Sequence, residues 1–357
     1  MSFDPESRTC VSFDDVLLVP KYSEIKSRHD VELEITSWEG DSIQVGDTSF
    51  RLPIFAAPMD TVINKETAIV LANRGISPIL HRYTTFEEQV RDYEAISSSL
   101  FVDAAPVGAA IGTGSMCLNQ AIALYEVGCR LFCVDVAHGH HEAAIKVVSY
   151  LKHLYEDAFV IAGNVATLEG FNALADAGAN AIRVGIGGGS VCSTRVVTGH
   201  GIPTFQSVVD CSASDRDCYI IADGGIRSTG DIVKSLAAGA DFVMLGSMLA
   251  GREESPGETK TVGDITYKNY RGMASKSAQL EWRGKVSVSE GVDSWRPVSS
   301  CLDDCIDDIL AGVRSGLSYS GCAFLSDFYT MSEFVKITQS SLKENVPHAV
   351  GASFGSS

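Results

Sequence analysis

The 357-residue chain contains no uninterrupted apolar run approaching the roughly 20 residues that a membrane-spanning helix needs. Its opening, MSFDPESRTC, has neither a basic region nor an apolar stretch, so no secretory leader is expected. Positive charge is scarce: 28 Lys and Arg against 45 Asp and Glu leave a net charge of −17. A general nucleic-acid or acidic-membrane surface is therefore not expected, although a local basic pocket can still hold a phosphate. Ten cysteines are present but form no framework. Cys129–Cys133 and Cys301–Cys305 do not have zinc-knuckle spacing, and no second pair lies at a matching distance. The dinucleotide fingerprint is missing too. GIGGGS puts Ser190 where the last glycine of GxGxxG belongs, and it opens no βαβ unit with a suitably placed acid. A reduced, cytoplasmic enzyme is the expectation.

What the chain does have is repetition. Short apolar runs recur at Ile54–Ala57, Ile76–Leu80, Val107–Ile111, Leu131–Ala137, Phe159–Gly163, Ala181–Gly185, Tyr219–Ala222 and Phe242–Gly246. Each is too short for a helix and lacks strict alternation, as strands buried on both faces do. In LYEVGCRLFCVDV, LADAGANAIRVG and LAAGADFVMLG a helix-ending glycine directly precedes the run. Strand alternating with helix eight times predicts a single-domain (β/α)8 TIM barrel over residues 1–342. A doubly wound sheet shares the alternation; the count of eight favours the barrel. Two excursions interrupt it: some thirty residues between the sixth and seventh strands, and a polar, weakly periodic, flap-like segment, 252–300, after the eighth. Both follow strands, on the face where barrel enzymes build their sites, and a dinucleotide would lie across that mouth. The Ser/Gly-rich tail, 343–357, is expected to fray.

The first excursion carries RVGIGGGSVCSTR, residues 183–195. Its glycines allow a tight turn and close approach to a ligand, and they display Cys192 with Ser190 and Thr194 on either side. A cysteine so placed reads as a nucleophile; the ordinary alternative is a small buried hydrophobe. In ADGGI, Asp223 ends the seventh strand ahead of Gly224 and Gly225. In MLGSM, Gly246 and Ser247 end the eighth. Loops after the last two barrel strands commonly cradle a phosphate, and Asp223 can accept from ribose hydroxyls or simply cap the next helix. Asp135 ends the fourth strand beside His138, His140 and His141, whose spacing in a Gly-containing loop fits a zinc motif poorly.

With these residues in place, the chain resembles the IMP dehydrogenase/GMP reductase family along nearly its whole length. FDDVLLVPKYSEIKSR, APMDTV, VDVAHGH, GNVAT, RVGIGGGSVCSTR, VTGHGIP, ADGGI, STGDIVK, MLGSMLAG, ESPGE, YKNYRGMAS, SEGV and ILAGVRSGLSYSG occur in the family's order. The resemblance implies thiolate attack by Cys192 on C2 of a purine nucleotide, with hydride exchanged at that carbon. Thr194 and Glu290 match the residues that handle the proton of water or ammonia. Ser190, Gly225, Gly246, Ser247 and Tyr270 match phosphate contacts, Asp223 the ribose ligand, and Gly272 and Met273 the segment against the nucleotide, with Met273 and Glu290 at purine-contacting positions. Asp135, Asn164 and Arg183 match residues near the nicotinamide end. The carbonyls of Gly187, Gly189 and Cys192 match a potassium-type cation loop in the dehydrogenases. A homotetramer is implied as well.

The two family activities differ in how the covalent intermediate is resolved. A dehydrogenase hydrolyses it with a mobile flap bearing an Arg-Tyr pair. A reductase forms it from GMP by losing ammonia, then reduces it with NADPH to IMP. Here only 18 positions separate Gly272 from Glu290, and Trp282-Arg283 reverses the aromatic–arginine order. Ala274 and IKSRHDVEL are reductase-like, whereas HGH, ESPGE and YRGM are dehydrogenase-like. Ala57 departs from both patterns, and Ser287 stands where many reductases carry an arginine. There is no room for a tandem regulatory (CBS) insert between the second and third strands. The expectation is an NADPH-dependent GMP reductase. The alternatives are an NAD-dependent IMP dehydrogenase making XMP, or a catalytically silent nucleotide-binding homologue.

Overall fold

The computed structural model describes residues 9–345. Eight parallel strands close into a barrel: β1 (Ile54–Ala56), β2 (Ser77–Leu80), β3 (Gly108–Ile111), β4 (Leu131–Asp135), β5 (Phe159–Val165), β6 (Ala181–Val184), β7 (Tyr219–Asp223) and β8 (Phe242–Leu245). Closure is made by β8 on β1, with Val243 opposite Ile54. Every expected strand forms, with ends that differ by a residue or two. β4 stops at Asp135, whose side chain turns to arginine partners at the mouth, so Val136 and Ala137 fall in the loop.

The surrounding helices are α1 (Lys65–Asn73), α2 (Phe86–Ser97), α3 (Cys117–Glu126), α4 (Glu142–Leu154), α5 (Leu168–Asp176), α6 (Thr204–Cys211), α7 (Thr229–Ala237) and α8 (Leu302–Tyr319). Gly178 shows how helix passes to strand: its φ of 98° reverses the chain after α5, and Ala181 opens β6 two residues after Ala179 is buried. α7 begins just beyond the Asp223–Gly225 turn, with the Ser228 hydroxyl accepting from the Asp231 N–H at 3.2 Å. Ser228→Ala should lower unfolding stability by about 1 kcal/mol in a urea titration, the usual worth of such a cap.

The barrel interior is apolar. Phe50, fully buried, meets Phe55, Phe159 and Phe242 edge-on at 5.3, 5.1 and 5.1 Å between ring centroids. It is delivered by the segment after a small hairpin, Gln44–Val45 with Thr48–Ser49, and joins Ile35, Ile43 and Val45 in one buried cluster with the inward residues of the strands. An amino-terminal strand, Val16–Leu18, pairs antiparallel with Phe334–Lys336.

The 252–300 excursion has more structure than its weak periodicity suggests. Thr259–Val262, Ile265–Arg271 and Asp293–Pro297 form an antiparallel sheet, and the helix Lys276–Arg283 fills the connection between the second and third strands. All four residues of Thr259–Val262 are exposed, so no buried face marks that strand in the sequence. Of the tail, Lys343–Asn345 form a 3-10 turn, and residues 346–357 lie outside the described region. No helix among the described residues is long and apolar enough to cross a membrane.

Candidate active site

Of the ten cysteines, all within the described residues, only Cys192 is exposed. Burial pushes the thiols of Cys129, Cys133 and Cys211 up to about 12, which keeps them protonated. The Cys192 sulfur lies 3.2 Å from Thr194 Oγ1, and Thr194 in turn donates to Glu290 Oε2 at 2.9 Å. Sulfur, hydroxyl and carboxylate therefore form a continuous path by which a proton can move.

Backbone pairing holds this path in place. The Ser193 N–H donates to the Glu290 carbonyl at 2.9 Å, and the Val292 N–H to the Val191 carbonyl at 2.9 Å. The Gly272 N–H donates to the Val292 carbonyl at 3.1 Å, so the cysteine loop and both arms of the flap are stitched side by side. Gly272 must be glycine: a Cβ there would lie 2.9 Å from the Val191 carbonyl.

The same cleft is lined by a row of largely buried charges. Arg183 donates to Asp135 Oδ1 at 2.6 Å and, through Nε, to Asp223 Oδ2 at 3.0 Å. Asn164 Nδ2 also donates to Asp223 Oδ2 at 2.7 Å and to the Gly185 carbonyl at 2.8 Å. From the other side Arg82 Nε reaches the Asp135 carbonyl and carboxylate at 3.1 and 3.3 Å. Burial alone would push the Asp135 carboxyl up, but the guanidinium groups of Arg183 and Arg82 outweigh it and hold the group below the ordinary carboxylate range. Asn164 and Arg183, expected at the nicotinamide end, thus also brace the ribose candidate Asp223.

Of the phosphate candidates, Ser190 and Gly246 lie against Tyr270. Ser190 Oγ donates to the Tyr270 hydroxyl at 3.3 Å, and a Cβ on Gly246 would sit 3.4 Å from that same oxygen. The Ser247 carbonyl accepts from Arg296, and Gly225 lies alongside Gly188, whose carbonyl a Cβ would approach to 3.6 Å. Met273 turns its sulfur to the Asp60 N–H at 3.4 Å.

A cleft of about 840 Å³ spans the mouth from Tyr270, Met273 and Asp223, past Cys192 and Glu290, to Asp135, Arg82 and Gly112–Gly114. That is ample for a nucleotide with a second planar group beside it. Among the lining residues not expected from the sequence are Arg82, Tyr83 and Gln279. Arg82 and Tyr83 come just after an expected strand, but nothing in the local sequence marks their partners, and nothing marks Gln279.

The cleft has room for a nicotinamide dinucleotide beside a purine nucleotide, with Asn164 and the Gly112–Gly114 backbone in the same lining as Cys192. The cation loop fits less well. The Gly189 carbonyl already accepts from the Cys192 N–H at 3.0 Å. Arg195 places its own positive charge behind the loop, donating to the carbonyls of Ile186 and Ile202 at 3.1 and 2.7 Å.

Fold and site together define a (β/α)8 barrel with one exposed cysteine, among the described residues, set in the cleft at its mouth. The family model described as the IMP dehydrogenase / GMP reductase domain matches residues 10–348, and the chain belongs to that family, whose members are oxidoreductases using nicotinamide dinucleotides. An inosine-5'-monophosphate dehydrogenase of Nitrosopumilus maritimus is 30% identical over 479 aligned positions, covering 97% of this chain and 99% of the relative. One from Aquifex aeolicus is 42% identical over 255 residues, covering 68% of this chain and 52% of its own length. A GMP reductase of Trypanosoma brucei, solved in complex with guanosine 5'-monophosphate, superposes with a TM-score of 0.88 at 26% identity, covering 97% and 99% of the two chains.

Proposed function

We propose that the protein is a GMP reductase that converts GMP and NADPH to IMP, ammonia and NADP⁺. The Cys192 thiolate adds to C2 of GMP, and the C2–N bond to the exocyclic amine breaks, the amine leaving as ammonia with protons passed along Thr194 and Glu290. NADPH, when bound, supplies hydride to C2. The C2–S bond then breaks, returning the thiolate and releasing IMP. The enzyme on this reading works in the cytoplasm as a homotetramer.

The observation that carries the reading is the short connection from Gly272 to Glu290. It holds one compact helix, Lys276–Arg283, and keeps Glu290 hydrogen-bonded to Thr194 beside the thiol. Nothing in it supplies an Arg-Tyr sequence for activating water. A dehydrogenase reading is favoured by one feature: Arg283 and Tyr83 line the same cleft from different elements, a possible substitute pair.

Incubation with GMP and NADPH, beside IMP with NAD⁺ and potassium, separates the readings through nicotinamide absorbance. Loss of absorbance in the first with IMP and ammonia formed is expected. A rise in the second alone would establish the dehydrogenase, and silence in both a binding-only homologue. Glu290→Gln should reduce turnover of GMP by about 10²–10⁴-fold, the range for loss of a general acid, with little change in KM.

A further inference from the structure

Gln279 carries a buried amide whose hydrogen-bonding capacity is fully used within the flap. The residue is only 3% exposed although it borders the cleft. Its Nε2 donates to the Ala274 carbonyl at 2.9 Å and to the Val288 carbonyl at 2.8 Å. Its Oε1 accepts from the Ser287 N–H at 3.0 Å and from the Ser287 hydroxyl at 3.2 Å. Two donors and two acceptor positions are thereby satisfied, the most a side-chain amide can make.

One of these bonds reaches the chain before the helix Lys276–Arg283, and three reach the chain after it. The amide therefore closes the helix and its return loop into a ring. The Ala274 carbonyl is the pivot, because it also accepts from the Glu290 N–H at 3.1 Å. Gln279 and Glu290 thus hang from the same oxygen, and Glu290 Oε2 receives the Thr194 hydroxyl. A buried, fully bonded network of this kind fixes a single arrangement, since each missing partner strands a desolvated polar group.

We propose that Gln279 is a positioning residue for Glu290: it clamps the return loop so that the carboxylate stands against Thr194 before any nucleotide arrives, without closure of a lid. The proposal rests on the reading of Cys192, Thr194 and Glu290 as a proton path. It acts on geometry alone, and Gln279 itself touches no reacting atom.

Two measurements test it. In the nucleotide-free wild-type protein, hydrogen exchange should find the amides of Ser287 and Glu290 strongly protected. Exchange as fast as in an unstructured peptide would overturn the clamp without needing any variant to fold. The second is a double-mutant cycle on GMP turnover with Gln279→Met, which keeps the length and loses every bond. Gln279→Met should lower kcat by about 10–100-fold, as misplacement by about an ångström can, with KM for GMP nearly unchanged. The Gln279→Met/Glu290→Gln double variant should be no slower than Glu290→Gln alone, because the clamp works through that carboxylate. Full additivity would overturn the proposal. Gln279→Glu, which keeps the acceptor for Ser287 but faces two carbonyls with no proton, should match Gln279→Met. Protected amides in a wild-type protein that turns over neither nucleotide would leave the clamp standing and remove the GMP reductase reading instead.

Discussion

Cys192→Ala should lower turnover of GMP by about 10³-fold or more while GMP still binds, because the step lost is bond formation at C2 rather than recognition. The variant removes one sulfur atom from an exposed position, so no cavity opens and unfolding stability should stay within about 0.5 kcal/mol of the wild type. Thr194 keeps its bond to Glu290, and the contacts around Asp223 and Tyr270 are untouched. Isothermal titration with GMP beside a turnover assay separates the two effects. A variant that retained turnover would show that the thiol is a bystander. Alkylation supplies a cross-check: iodoacetamide should modify Cys192 before the buried cysteines, and GMP should protect it.

Arg183→Met should cost about 3–5 kcal/mol of stability, the range for removing one partner from a buried ion pair. Arg183 stands between two carboxylates, Asp135 and Asp223, and is itself only 7% exposed. Its loss leaves Asp223 with Asn164 and Asp135 with Arg82. The pH dependence follows from the sign of the Asp135 shift. In the wild type its folded value lies below the unfolded one, so its contribution is fully present above the ordinary carboxylate value of about 4. That contribution is lost as the pH falls through the lower folded value. In Arg183→Met burial meets less opposition, so acidification across the carboxylate range should recover part of the lost stability. Urea titrations from neutral to acid pH for both proteins check the opposite slopes; parallel slopes would contradict the ion-pair account.

The barrel was legible because its strands are buried on both faces, as Leu131–Val134 of β4 and Phe242–Leu245 of β8 illustrate, so that only a few polar residues, Arg183 in β6 among them, break the apolar runs. The flap sheet was not, since Thr259–Val262 is exposed throughout and Ile265–Arg271 is buried only toward its end. Cys192, Thr194 and Glu290 were named from motifs, and the fold brings Thr194 and Glu290 together across 96 positions of sequence. Arg82 was invisible for the same reason in reverse. Its importance arises from Asp135, 53 residues away, and a lone HRY after a strand says nothing of that partner. Gln279 was hidden differently: all its partners are backbone groups or Ser287, and no residue type signals a backbone-directed clamp.

The central claim is a covalent purine adduct on Cys192 that exchanges with ammonia rather than with water. Mixing the protein with IMP and NADP⁺, quenching, and mass-mapping the Cys192 peptide tests it in one experiment. The account predicts an adduct at Cys192 that converts to GMP when ammonium is added and yields little XMP without it. XMP accumulating in the absence of ammonium would make the enzyme a dehydrogenase, and an unmodified Cys192 in a mixture that had produced NADPH would contradict thiol catalysis altogether.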